Sequence, residues 1–371
     1  MEQPRLFVDG KCFFPALLGA VEKAETSIFI NMFIWRDDDI GNTLARALLA
    51  AMDRGVKVEI SKDRYGVVLE LAEEDQSSFF HKHPTVTEKI KANALRLFYR
   101  HGKGLPKKTR DEALYTRFVQ HENLSLSASR FKADHSKYYV IDEKILFLGG
   151  INVEDKENGI DREGRAYRDY MLGIYGEERI RDFFRGLECT PDTSRDIYYG
   201  YNDNTDKSRF FMEKLYLDMI DAAREELHIT MAYFSPCKKF IRSILAAAKR
   251  GVRVHILIPA RANFQTDTNL KTARILLKKG GGNITVYLSP KMVHAKLVMN
   301  ESTISLGSTN ITKKAFSQLS ELNVFIKNDS APTARDVRAS LEENYAEAKV
   351  IKDAEGISYH SIKAFIEGFL V

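Results

Sequence analysis

The sequence predicts an α/β fold in which one unit, a mixed β-sheet flanked by helices, is built twice. Three observations carry that prediction. The segment LLAAMDRGVKV at 48–58 matches ILAAAKRGVRV at 244–254 at seven of eleven positions. Upstream of each, AVEKAETSIFINMFIW at 20–35 and MIDAAREELHITMAYF at 219–234 share one apolar pattern. Downstream of each lies a pair of alternating stretches that opens on His-x-Lys, at 135–152 and 294–310. Self-similarity on this scale marks a repeated structural unit.

Each copy justifies its elements in the same order. The 20–35 and 219–234 stretches read as helix, turn and buried strand. Asp37, Asp38 and Asp39 precede the next helix of the first copy, where carboxylates cap free N–H groups and suit the helix dipole; a metal site is the alternative reading. That helix, like its counterpart in the second copy, ends in Arg-Gly. Gly55 and Gly251 stand where a C-cap wants a left-handed residue, and a β-branched strand follows each. The His-x-Lys stretches, HSKYYVIDEKILFLGGIN and HAKLVMNESTISLGSTN, read as hairpins joined by polar turns. The first copy is longer between Gly55 and His135 than the second between Gly251 and His294, which predicts an insert at about 64–129 that shapes or covers a substrate. The expected domains are therefore a first repeat over 1–192 and a second over 209–371. The polar stretch 193–208 is expected to link them.

Composition sets the bounds. The chain has 371 residues, 44% of them hydrophobic and 29% charged, which suits two packed units and excludes wholesale disorder. The formal net charge of +5 fits an anionic partner without demanding one. Cys12, Cys189 and Cys237 form neither a disulfide framework nor a zinc pattern, so a reducing, cytoplasmic location is expected. The polar start, MEQPR, lacks the apolar core of a signal peptide, and no apolar run reaches the roughly 20 residues that span a bilayer. Any membrane contact is expected to be peripheral.

The His-x-Lys pairs carry the chemistry. On a strand, residues two apart share a face, so His135 and Lys137, like His294 and Lys296, are expected to project side by side. A histidine can attack phosphorus or exchange a proton near neutrality, and an adjacent lysine stabilises charge on a phosphoryl oxygen. Each hairpin then returns through glycine to an asparagine, by Gly149, Gly150 and Asn152, and by Gly307, Ser308 and Asn310. Glycine permits close approach to a ligand. Asn152, Asn310 and Ser308 are read as neutral ligands of a phosphate. One such pair would be an ordinary exposed strand; two inside a duplicated unit point to phosphodiester chemistry at a single shared site.

This constellation resembles the phospholipase D superfamily, whose signature is His-x-Lys-x4-Asp followed by a Gly/Ser-rich turn and Asn. The resemblance covers about residues 7–327. His135, Lys137 and Asp142 fit fully, whereas Glu301 stands where the second motif, His294 and Lys296, would have aspartate. The resemblance implies two such repeats packed with pseudo-two-fold symmetry. It also implies that Asp169 and Glu321 fix the tautomer and orientation of the reactive histidines, although a surface carboxylate is the plainer reading of either alone. The implied mechanism has His135 as nucleophile forming a phosphohistidine and His294 as acid and base, with no metal and no cofactor.

Within the superfamily, residues 8–60, HSKYYVIDEKILFLGGIN and HAKLV…LGSTN are most similar to bacterial cardiolipin synthases. That similarity implies transfer of a phosphatidyl group from an anionic phospholipid to an alcohol. Hydrolytic phospholipase D and a nucleic-acid phosphodiesterase are the alternatives. Nucleic acid is not favoured, because the chain lacks a basic stripe interleaved with aromatics. The oligomeric state, the acceptor alcohol and the role of the insert are not legible. The basic run 101–110 reads as a solvated loop that could also hold a phosphate. His81 and His83 lack a third metal ligand, and His228 and His255 read as satisfied core histidines. Ile362, Phe365, Ile366, Phe369 and Leu370 recur at helical spacing. Docking of that face onto the protein's own core is expected, with a membrane surface as the alternative.

Overall fold

The computed structural model describes residues 2–74, 78–81, 83–99, 111–161, 164–327 and 332–369. The chain forms two compact units, Met1–Asp182 and Phe183–Val371, each with its own sheet and its own apolar core.

The first unit runs β1 (Arg5–Val8), α1 (Asp9–Glu22), β2 (Ser27–Met32), α2 (Asp39–Asp53), β3 (Lys57–Lys62), α3 (Gly66–Glu74), α4 (Val86–Arg96), α5 (Glu112–Val119), β4 (Leu124–Ser127), β5 (Tyr138–Ile141), β6 (Ile145–Gly149), β7 (Tyr167–Arg168) and β8 (Tyr170–Tyr175). Helix α6 (Glu177–Glu188) carries the chain onward. The second unit runs β9 (Ile197–Asn202), α7 (Met212–Ala222), β10 (Glu226–Met231), β11 (Phe234–Ser235), α8 (Lys238–Lys249), β12 (Arg253–Pro259), α9 (Thr266–Lys279), β13 (Ile284–Ser289), β14 (Met292–Val293), β15 (Lys296–Asn300), β16 (Thr303–Gly307), β17 (Ile311–Thr312), α10 (Lys313–Ser317), β18 (Glu321–Lys327), α11 (Pro332–Glu347), β19 (Lys349–Ile351) and α12 (Ser361–Phe369).

The two sheets repeat one strand order, β1-β8-β6-β5-β2-β3-β4 and β9-β18-β16-β15-β10-β12-β13, with β19 added to the second beyond β13. In both, three parallel strands formed through helical crossovers meet an antiparallel hairpin and its neighbours. The duplicated α/β unit predicted from sequence is therefore present. Gly55 and Gly251 end α2 and α8 with φ of 99° and 95°. Val56 N–H and Val252 N–H reach back to Ala51 O and Ala247 O, which satisfies carbonyls that the helix end would leave free. Asp38 caps α2 by accepting from Gly41 N–H at 3.0 Å, so the acidic cluster serves the capping role expected of it.

Two segments differ from their sequence reading. Residues 193–208, read as a linker, contain β9, which pairs with β18 and stacks Tyr198 on Phe325 with ring centroids 4.9 Å apart. The aromatic residues of IYYGYN cover an edge that would otherwise leave backbone groups of β18 unpaired. Residues 64–129, read as an insert, form the crossover from β3 to β4 and occupy the place that α9 alone fills between β12 and β13. The addition enlarges a connection and still delivers a sheet strand. The basic run 101–110 and Lys82 lie outside the described residues.

Each core lies beneath its sheet. Phe13, Leu17, Trp35, Leu44 and Phe147 fill the first, and Tyr216, Phe240, Ile244, Ile256 and Phe325 the second. No helix among the described residues is long and apolar enough to cross a membrane.

Candidate active site

In the first unit His135 and Lys137 lie in the extended lead-in to β5, not within it. The ladder between β2 and β5 stops at Asn31 and Tyr138, because the Asn31 amide turns to Ser136 instead, donating to its carbonyl at 3.1 Å and its hydroxyl at 2.9 Å. The two side chains therefore project from the segment ahead of the strand and not from the strand face that was expected, and both lie against Phe33. Lys137 folds back and donates through Nζ to the carbonyl of His135. The ammonium is buried, 5.2 Å from the Phe33 ring centre, and the same ring meets the His135 imidazole edge-on at 4.8 Å.

The loop before His135 is held from below. Asp63, at the end of β3, accepts from Lys132, Asp134 and Tyr65 N–H groups. Asp134 accepts from Ser136 N–H and Oγ and from the Asn31 amide. Burial pushes the Asp134 carboxyl up to about 6, against the lowering effect of the Ser136 hydrogen bonds.

The second unit repeats the arrangement. His294 lies two residues ahead of Lys296, the first residue of β15, and Lys296 Nζ donates to the His294 carbonyl. His294 is buried, with the Tyr233 ring edge-on at 6.4 Å. Each half thus sets a cation within a low-dielectric pocket beside its histidine, where charge–charge interaction is strong.

The fifth residue after each lysine closes the hairpin at the end remote from the histidine. Asp142 and Glu143 adopt φ of 52° and 54°, and Lys144 N–H bonds Ile141 O, the geometry of a tight type I′ turn. The Asp142 carboxylate accepts from the N–H groups of Glu25, Thr26 and Ser27 and from the Thr26 hydroxyl, at 2.8–3.0 Å. Burial raises its pKa, but those hydrogen bonds outweigh it and hold the carboxyl below its ordinary value. Glu301 makes the corresponding contact with Arg224 N–H at 2.7 Å, and its other oxygen has no partner among the described residues. The longer side chain preserves one bond of four. Asp142 and Glu301 thus hold the hairpins, remote from His135 and His294.

Ser308 likewise has a holding role. Its buried hydroxyl donates to Glu321 and accepts from Leu322 N–H at 3.0 Å, so it holds a carboxylate rather than a phosphate. In the first unit Gly150 takes its place, with Asp169 packed so closely that a Cβ would lie 2.3 Å from a carboxylate oxygen. Gly149 and Gly307 likewise face the carbonyls of Tyr170 and Leu322, at 2.2 Å from a notional Cβ. Close approach of neighbouring strands, not of a ligand, requires these glycines. Asp169 accepts from Tyr170 N–H at 2.7 Å and, like Glu321, is almost fully buried, unlike the surface carboxylate of the plainer reading.

Asn152 and Asn310 sit in matching places. The Asn310 carbonyl accepts from Tyr233 N–H at 3.2 Å. The Asn152 amide reaches Glu154 at 3.5 Å, while its carbonyl oxygen has no partner among the described residues.

Sequence reasoning missed the ion network behind the first half-site. Arg36, wholly buried, donates to Glu154 at 2.7 Å, to Glu73 at 3.2 Å and to the Glu70 carbonyl at 2.8 Å. Lys156 pairs with Glu73 and Glu154, and Lys62 with Glu70 at 3.2 Å. Glu70 and Glu73 come from α3, so the enlarged crossover is anchored to the residues that follow Asn152. The alternation Glu154, Lys156 directly after the glycine turn was the available signal.

His81 donates through Nε2 to the Ala128 carbonyl and accepts through Nδ1 from the Ser78 hydroxyl, while His228 and His255 stack at 4.8 Å and bond Tyr345 and Tyr287. His228 is buried, as the core reading expects, whereas His255 is only half-buried.

Residues 17–167 and 216–345 match the family model described as "Cardiolipin synthase, PLD-like domain". The chain belongs to this phospholipase D-like family. Cardiolipin synthase B of Escherichia coli K12 is 28% identical over 345 residues, spanning 87% of this chain and 76% of the relative. The cardiolipin synthase of Clostridium perfringens SM101 is 24% identical, spanning 92% and 69%. Among solved structures, phosphatidylserine synthase of Haemophilus influenzae Rd KW20 shares the fold, with a TM-score of 0.70 at 12% identity over 100% of this chain and 93% of that one.

Proposed function

We propose that this chain is a phosphatidyltransferase of the cardiolipin synthase kind, moving a phosphatidyl group from an anionic phospholipid to an alcohol. The observation that carries the reading is the duplicated half-site. In each unit a histidine stands beside a buried lysine on the same backbone frame, and a buried carboxylate lies at the end of the next strand but one in the sheet. The likeness to cardiolipin synthases across most of both chains supports the choice of lipid over nucleic acid.

The two units then act on one phosphodiester. A ring nitrogen of His135 attacks phosphorus, the bond to the departing alcohol breaks, and His294 gives that oxygen a proton. His294 then takes the proton of the incoming hydroxyl, whose oxygen attacks phosphorus and releases His135. Lys137 and Lys296 stabilise the phosphoryl oxygens as charge builds. Asn152 and Asn310 donate to the same oxygens, and Asp169 and Glu321 orient the imidazoles.

The reading is tested by presenting phosphatidylglycerol in detergent, with and without added alcohols, beside single-stranded DNA. Cardiolipin, or a phosphatidyl ester of the added alcohol, is the expected product. Phosphatidic acid alone would indicate hydrolysis, and cut DNA a nuclease; either result replaces the proposal.

A further inference from the structure

We propose that the face formed by α8, α9 and α12 is the surface on which this protein rests on an anionic phospholipid bilayer. The inference stands on geometry outside the half-sites and is independent of which reaction they perform.

Helix α12 docks inside out. Ala364 and Glu367 face α9 and are almost fully buried, with Glu367 accepting from Thr268 N–H at 2.9 Å and the Ala364 carbonyl from the Thr268 hydroxyl at 2.9 Å. The large apolar residues point away: Ile362 is 69%, Phe365 71% and Ile366 38% exposed. For Ile362, Phe365 and Ile366 the expectation of packing on the protein's own core is thus overturned, because hydrogen bonds to Thr268 fix the opposite face inward; Leu370 and the Phe369 side chain lie outside the described residues. An ordinary amphipathic helix does the reverse. Clustered exposed apolar side chains of this size mark a surface that is covered when it works.

Beside Phe365 opens a groove of about 790 Å³ between α8, α9 and α12. Its floor includes the half-buried Ile241, Leu245 and Ile275. Its rim carries Lys238, Arg242, Lys271 and Lys279, none of which has a carboxylate partner among the described residues. An apolar floor within a ring of unpaired cations complements a lipid whose acyl chains are apolar and whose headgroup is anionic. A protein partner would need matching acids and a shaped apolar knob, whereas a bilayer supplies both features at any register. The exposed rings and aliphatics would enter the acyl boundary while the ammonium and guanidinium groups stay among the headgroups.

Sedimentation with vesicles tests this, using the full chain. Vesicles of phosphatidylcholine mixed with phosphatidylglycerol are expected to bind the protein, and vesicles of phosphatidylcholine alone to bind it much less. The variant Ile362→Ser with Phe365→Ser removes two exposed side chains and is expected to melt like the unaltered protein while binding the anionic vesicles at least tenfold more weakly. Lys238→Ala with Arg242→Ala is expected to cost about fivefold per cation and to flatten the salt dependence. Unchanged binding by the apolar variant overturns the proposal. So does a dimer, seen by sedimentation velocity without vesicles, that becomes monomeric in that variant, because a second copy would then cover the face. Turnover of a short-chain, water-soluble phosphatidylglycerol separates the two readings: failure of vesicle binding with turnover intact removes the docking face alone.

Discussion

The Ser308 hydroxyl is bonded to the Glu321 carboxylate, and in the other unit Gly150 leaves that same space to Asp169. The two half-sites therefore hold their buried carboxylates by different means: one by a hydroxyl donor, the other by strand packing and the Tyr170 N–H. If Ser308 bound substrate phosphate, its loss would raise KM. As a positioning residue it acts through Glu321 instead. Ser308→Ala should lower kcat with KM nearly unchanged, and should cost about 1–3 kcal/mol of stability by leaving a buried carboxylate short of a donor. Steady-state kinetics and urea unfolding check both parts.

Hairpin support should be unequal between the halves. Asp142 accepts four hydrogen bonds where Glu301 accepts one, so Asp142→Ala should destabilise the protein by about 2 kcal/mol more than Glu301→Ala. The effect depends on pH with a definite sign. The folded carboxyl titrates below the unfolded one, so its contribution is complete above the ordinary carboxylate range and is lost as pH falls through the folded value. Melting curves of the protein and Asp142→Asn should converge on acidification. A constant gap would show that the charge is not what stabilises the turn.

Arg36 and Glu154 form a buried pair inside a network with Glu73 and Lys156, so loss of Arg36 leaves two buried carboxylates to share the single cation of Lys156. Arg36→Met should cost about 3–5 kcal/mol, and Arg36→Met combined with Glu154→Leu appreciably less than the sum. A strictly additive double variant in thermal unfolding would contradict the coupling.

Burial, and then the neighbouring His228 ring, push His255 down to about 4. The unfolded chain binds a proton at this residue below about 6.5, the folded chain only below about 4. Stability therefore rises with pH across that window and is lost on acidification. His255→Asn should melt with a shallower dependence on pH between 6.5 and 4. Parallel curves for the two proteins would place the acid sensitivity elsewhere.

Much of the fold was legible because it is written twice. The left-handed Gly55 and Gly251, the helices before them and the hairpins behind each His-x-Lys have counterparts that confirm one another. Strand β9 was obscured by its polar neighbours Asp203 and Asn204, since a short strand shows too few alternations to stand out. The histidines and lysines were readable from spacing. The function of what surrounds them was not, because Ser308, Gly150 and Arg36 take their roles from residues distant in sequence. Inversion of α12 was hidden for the same reason: periodicity shows that a face is apolar, not which way a hydrogen bond from Thr268 will turn it.

The proposed two-step transfer assigns attack on phosphorus to His135 and proton exchange to His294. The decisive measurement is trapping of lipid phosphate on the protein by a mildly alkaline detergent quench, using phosphatidylglycerol labelled in its phosphorus, in the unaltered chain and in His135→Ala and His294→Ala. A covalent adduct that is lost on later acidification is expected in the unaltered chain and none in His135→Ala, with turnover reduced by about 100-fold or more in each variant. Full turnover in either variant, or an equal adduct in His135→Ala, would contradict that assignment.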